Sequence, residues 1–119
     1  MAVAQTDRSR LVDEMVEAYN ARDVNRMLNY FADDAVVVDA EGAVLDSGKS
    51  ALRHTFEEVF AANPQLHADV PTSIEVGNWV CIHSVVDDWA NADGSRGRME
   101  WVELYQVIDA KITRLQLFY

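Results

Sequence analysis

The spacing of apolar residues changes once along this chain, and that change constrains the fold more than any other feature. Before Pro64 the apolar side chains recur mainly at helical spacing, interrupted by one short valine-rich run; after it they alternate. Helices followed by strands predict an α+β chain. Residues 8 to 21 carry Leu11, Val12, Met15, Val16, Ala18 and Tyr19 on one face, with Thr6 or Asp7 as the N-cap. Asp23 caps a second, short helix whose buried stripe is Met27, Leu28 and Phe31. Val36 to Asp39 and Ala43 to Leu45 read as short strands about a Glu41-Gly42 turn. A third helix starts at Ser47, turns Leu52, Phe56, Val59 and Phe60 inward, and ends at Pro64.

The remainder reads as strand. Leu66, Ala68, Val70, Ile74 and Val76 alternate with polar residues, and Pro71 marks an edge or a bulge. Residues 79 to 89 are apolar on both faces, with Val80, Ile82 and Val86 on one and Trp79, Cys81, Val85 and Trp89 on the other. Residues 98 to 108 repeat this, setting Met99, Trp101, Tyr105 and Val107 against Val102, Leu104 and Ile108. Asp109-Ala110-Lys111 turns the chain into a last strand, 112 to 119. Helices can cover only one face of such a sheet, so the second face is expected to pack on a second copy, sheet to sheet, in a homodimer.

Half of the 119 residues are hydrophobic, enough for one domain over residues 1–119 with a single core. Ten basic against twenty acidic residues give a net charge of -10, with no basic run, which argues against nucleic acid and anionic membranes as partners. The lone cysteine, Cys81, can form no internal disulfide and reads as a small buried hydrophobe, a nucleophile being the sharper alternative. Met1 to Asp7 is too short and polar for a secretory signal, and no apolar run reaches membrane-span length, so a soluble cytoplasmic protein is expected.

Several segments, in this order, resemble the nuclear transport factor 2-like superfamily: Tyr19-Asn20-Ala21-Arg22-Asp23, Phe31-Ala32-Asp33-Asp34-Ala35, Ser47-Gly48-Lys49-Ser50-Ala51-Leu52-Arg53 and Leu104 to Ile112. The first resembles the end of that fold's first helix, the second its second helix and turn, the third the start of its third helix and the last its final hairpin. Within the superfamily the chain is similar to ketosteroid isomerase and to the SnoaL-like polyketide cyclases. The resemblance implies a cone-shaped, strongly curved antiparallel sheet wrapped around three N-terminal helices, a cystatin-like α+β roll. It also implies a dimer and a deep pocket for a small hydrophobic molecule. It fixes no reaction, because the fold hosts isomerases, dehydratases, cyclases, hydrolases and non-catalytic binders.

Candidate catalytic residues follow from the same resemblance. Asp39 falls on the base of ketosteroid isomerase, where a carboxylate, acceptor-only when ionised, suits a proton shuttle; the alternative is a solvated acid at a strand end. The second acid of that enzyme falls near Glu103, which shares a face with Met99, Trp101, Tyr105 and Val107. In ketosteroid isomerase that second acid is kept protonated by its apolar site, and a buried Glu103 would follow the same rule; the alternative is a dimer face, or pairing with Arg98 or Arg114. The donor tyrosine position falls on Met15, which cannot donate a hydrogen bond, while Tyr19 lies one helical turn on. Phe56, Trp101 and Tyr105 are expected to line the pocket with Met15 and Tyr19, and Asp88 to stand at its mouth or in solvent. His54 and His67 read as solvated and His83 as an interface residue; no metal-ligand spacing and no cofactor motif is present. Three functions remain open: an acid–base enzyme acting on a small hydrophobic carbonyl compound, a non-catalytic ligand-binding dimer, and a protein-association module.

Overall fold

A computed structural model describes residues 6–119. Residues 1–5, within the stretch read above for a secretory signal, lie outside the described residues. Helix α1 spans Asp7–Asn20, and the Thr6 hydroxyl caps it by accepting from the Ser9 backbone N–H at 3.3 Å. Glu75, from a distant strand, accepts from the same N–H at 3.1 Å, so the helix start is tied to the sheet. Val12, Met15 and Ala18 form its buried stripe. Arg22 takes a positive φ of 55°, which breaks α1 from α2 (Val24–Asn29); the Asp23 carboxylate caps α2 from 3.1 Å. Helix α3 (Lys49–Ala62) begins at Gly48, whose φ of 87° is one that L side chains rarely adopt.

The strands are β1 (Phe31–Val38), β2 (Val44–Ser47), β3 (Asp69–Val76), β4 (Trp79–Ala90), β5 (Arg96–Ile108) and β6 (Lys111–Phe118). They form one sheet in the order β2-β1-β6-β5-β4-β3. Two expectations are corrected here. The sheet is mixed, not antiparallel throughout, because β6 enters between β5 and β1 and runs parallel to β1. It is also an open sheet with β2 and β3 at its edges, not one closed into a cone. A parallel pair needs a long crossover, and everything from β2 to β5 supplies it.

Element boundaries shift for the same reason. Phe31 to Ala35, matched above to a helix and turn, already belongs to β1: the Tyr30 carbonyl accepts from Ile112 N–H at 2.8 Å, and pairing with β6 starts at Phe31. The register then slips before Val36. Leu66 and Ala68 are buried but precede β3. Asn20 holds this lead-in with a reciprocal pair of bonds to Ala68, 2.8 Å from its N–H and 3.0 Å to its carbonyl, and the Arg22 guanidinium donates to the Leu66 carbonyl at 2.7 Å. The slip between Asp69 and Thr72 brackets Pro71 on an edge strand, as the proline predicted.

The core lies between the helices and one sheet face. Val80, Ile82, Ser84 and Val86 of β4 point into it, as do Tyr105 and Val107 of β5. Between Val86 and Trp89 the β4–β5 register shifts, so Trp89 packs against the core instead of joining Trp79 and Cys81 on the outer face. No helix among the described residues is long and apolar enough to cross a membrane.

Asn63, 1% exposed, locks the end of α3 to the end of β4: its amide donates to the Val59 carbonyl at 3.0 Å and its oxygen accepts from Ala90 N–H at 2.9 Å. Replacing Asn63 with Ala leaves the partly buried Ala90 N–H without its partner, so urea titration is expected to read a loss of about 1–3 kcal/mol. An unchanged midpoint would show that water replaces the side chain at that N–H.

Candidate functional site

Strand alternation builds the site. On β5, Met99, Trp101, Glu103 and Tyr105 all face α1 and α3, and the β4 register places Ser84 opposite Trp101, diagonal to Glu103. Glu103 is therefore flanked by donors. Its Oε1 accepts from the Trp101 indole N–H at 2.7 Å and from the Ser84 hydroxyl at 2.8 Å, and its Oε2 from the Tyr105 hydroxyl.

These residues form one wall of a cavity of about 500 Å³ between α1, α3 and the sheet. Met15 and Tyr19 of α1 and Phe56 of α3 close it from the other side. Tyr19 meets Phe60 edge-on at a centroid distance of 5.2 Å and Phe56 at 6.4 Å, and Trp89 tilts against Trp101 at 5.7 Å. Leu45, Asp46 and Tyr119 line it as well, and Tyr119 is 75% exposed, which sets this end at the mouth. There the Asp46 carboxylate accepts from the Thr55 hydroxyl at 2.9 Å.

Burial raises the Glu103 carboxyl above the usual carboxylate range, against the pull of its three donors in the other direction. Burial first, and the charge of Glu103 second, push the phenols of Tyr19 and Tyr105 well up, so both stay protonated. A proton count then decides what the pair can do. With Glu103 ionised, the Tyr105 proton is spent on the carboxylate. With Glu103 protonated, the pair holds two protons and uses one between them, leaving one to donate into the cavity.

Of the residues singled out from sequence, Met15, Tyr19, Phe56, Trp101, Glu103 and Tyr105 all line this cavity. Asp39 and Asp88 do not. The Asp39 carboxylate instead accepts from the N–H groups of Glu41 at 3.0 Å and Ala43 at 2.9 Å, closing the β1–β2 turn. It does not converge with Glu103 in the cavity. Asp88 sits within the β4 register shift, exposed, and pairs with Arg96 at 2.9 Å. Glu103 faces the helices and not the outer side of the sheet, and pairs with neither Arg98 nor Arg114; it is Glu100, on the outer face, that meets Arg98 at 3.5 Å and His83 at 2.9 Å. His54 and His67 pair at the surface with Glu58 and Asp69. No group of His, Cys, Asp or Glu among the described residues is arranged to hold a metal ion.

Sequence reasoning missed Asp46, Thr55 and Ser84. Asp46 reaches the cavity because it pairs opposite Val37, across a register shift at Val37/Val38 that no local pattern announces. Ser84 stands among Val80, Ile82 and Val86 on the inward face, and a polar residue in that series was the available signal.

The family comparison agrees with this geometry: residues 12–115 match the SnoaL-like domain model, so the chain belongs to that family, within the nuclear transport factor 2-like superfamily. Among solved structures, an uncharacterized cystatin-fold protein from Novosphingobium aromaticivorans is 28% identical, with a TM-score of 0.84 over 98% of this chain and 100% of that one. AclR from Streptomyces galilaeus is 20% identical, with a TM-score of 0.81 over 96% and 79% of the two chains. An NTF2-like protein from Burkholderia pseudomallei is 14% identical, with a TM-score of 0.82 over 97% and 92%. No curated protein matches the chain by sequence.

The raised pKa of Glu103 carries a signed prediction. A carboxyl with a native pKa above its unfolded value binds more protons in the native state. Wild type therefore loses stability as pH rises from the ordinary carboxylate range through the native pKa of Glu103. Glu103→Gln lacks that contribution, so its stability relative to wild type should rise with pH across urea titrations from about pH 4 to about pH 8. Parallel profiles would mean that Glu103 ionises as readily folded as unfolded.

Proposed function

We propose that this SnoaL-like domain binds a small apolar carbonyl compound in its cavity, with Glu103 as the acid or hydrogen-bond donor that receives the carbonyl oxygen. The observation that carries this reading is a carboxyl with a raised pKa, bonded to Tyr105 on the wall of an otherwise largely apolar cavity. A donor held there among apolar side chains serves an oxygen that gains negative charge, as in an enolate. Acid–base chemistry of isomerase, dehydratase or cyclase type suits such an arrangement. The second reading is a non-catalytic ligand-binding dimer. It is favoured by Met15 at the position where the resemblance puts a donor tyrosine, and by Asp39 serving the hairpin turn. Homodimerisation through the outer sheet face fits both readings, because Ile74 and Val76 stand 57% and 71% exposed there. Sedimentation equilibrium at micromolar protein tests it, and a monomer would set the dimer aside.

The probe for the cavity is 2-acetylnaphthalene, a ketone on an apolar body. Bound there, it should quench Trp89 and Trp101 saturably. Its affinity should fall about tenfold as pH rises through the Glu103 pKa, the worth of about one hydrogen bond. Glu103→Gln should bind without that pH dependence, and Asp39→Asn should behave as wild type. Absence of saturable quenching in wild type would sink the proposal.

A further inference from the structure

The cavity has two polar poles. One is Glu103 with Ser84, Trp101 and Tyr105. The other is Asp46 with Thr55, at the end where Leu45 and Tyr119 open to solvent. The wall between them is aliphatic and aromatic, and among the described residues it contains no Lys, Arg or His. That composition discriminates by charge. A ligand bringing a carboxylate or phosphate would find no counter-charge on the wall and would face two acidic side chains, and an unpaired charge moved out of water is costly. A ligand bringing a hydrogen-bond donor meets the opposite situation. An ionised carboxylate accepts through two oxygens and about four lone-pair sites, and Thr55 occupies one position, on Oδ2.

We propose that Asp46 is the specificity residue at the cavity mouth, and that it selects ligands whose polar end is a protonated amine over those ending in a carboxylate. The inference rests on the same cavity as the proposed function and deepens it: the ligand is an apolar body carrying an amine toward Asp46. Aromatic rings of the wall assist, because a cation is attracted to the faces of Trp and Tyr. Glu103 does not duplicate this role, since both of its oxygens are already engaged by Ser84, Trp101 and Tyr105.

Three isosteric naphthalene probes test it: 2-(2-naphthyl)ethylamine, 2-(2-naphthyl)ethanol and 2-naphthylacetate. Their affinities are measured at neutral pH by quenching of Trp89 and Trp101, in physiological salt so that the net charge of -10 is screened at long range. Wild type should bind the amine about tenfold more tightly than the alcohol and bind the acid weakest, as a charge-assisted hydrogen bond implies. Asp46→Asn should bring amine and alcohol within about twofold, Asp46→Glu should restore the preference, and Asp88→Asn, outside the cavity, should leave it intact. Matching circular dichroism spectra establish that the variants are folded. Equal or tighter binding of the acid, or a preference that survives Asp46→Asn, overturns the inference. So does binding of 2-acetylnaphthalene with no gain for the amine, an outcome that leaves the carbonyl reading standing. Tight binding of the amine alone would instead support Asp46 and reject the carbonyl reading.

Discussion

The parallel pairing of β6 with β1 is the constraint on which the rest of the structure depends. It seats the last strand beside the first, between β1 and β5, and so places the helical half of the chain against the strand half. Tyr30 accepts from Ile112 at one end of this seam, and Gln116 reaches the Asp39 carbonyl at the other, 3.1 Å away. Once β6 is there, β5 must lie next to it and β4 next to β5. The inward faces of these strands then look at α1 and α3 and at nothing else.

The cavity follows from what the helices leave unfilled. Val12, Met15 and Ala18 pack closely under α1, and Leu52 and Phe60 do the same under α3. Between these contacts β5 turns Met99, Trp101, Glu103 and Tyr105 toward the helices, and the three donors around Glu103 satisfy both of its oxygens. A half-satisfied carboxyl in such a place would be a liability. Fully satisfied, it forms a fixed polar site in a largely apolar wall. The polar atoms at both ends of the cavity are thus already ordered by the fold, and preorganised groups lower the entropic cost of binding.

Local features were legible in the sequence in proportion to how local their causes are. The caps Thr6 and Asp23, the apolar stripes of α1 and α3 and the alternation of β5 each depend on residues within a turn or two. Met15, Tyr19 and Phe56 can therefore be grouped on inward helix faces from the sequence, and Trp101, Glu103 and Tyr105 on one shared face of β5. Asp88 and Trp89 cannot be placed that way, because the β4–β5 register shift exchanges the faces expected from strict alternation. Asp39 reads from sequence as facing the hollow because a strand-end carboxylate and a turn carboxylate look identical there; two backbone N–H groups decide between them.

The sequence alone determined that the chain is α+β, where its first two helices begin, and which strand carries a carboxyl amid aromatic residues, because helix and strand periodicities are written into neighbouring positions. Only the tertiary structure decided that the sheet is open and mixed, that Glu103 faces the helices and not the outer side of the sheet, and that Asp46 shares its cavity. Those outcomes depend on strand order and on register across pairs distant in the chain, such as Val37 with Asp46 and Val37 with Leu115. A shift of one residue in such a pair reverses which face a side chain occupies, and nothing in the local pattern records it.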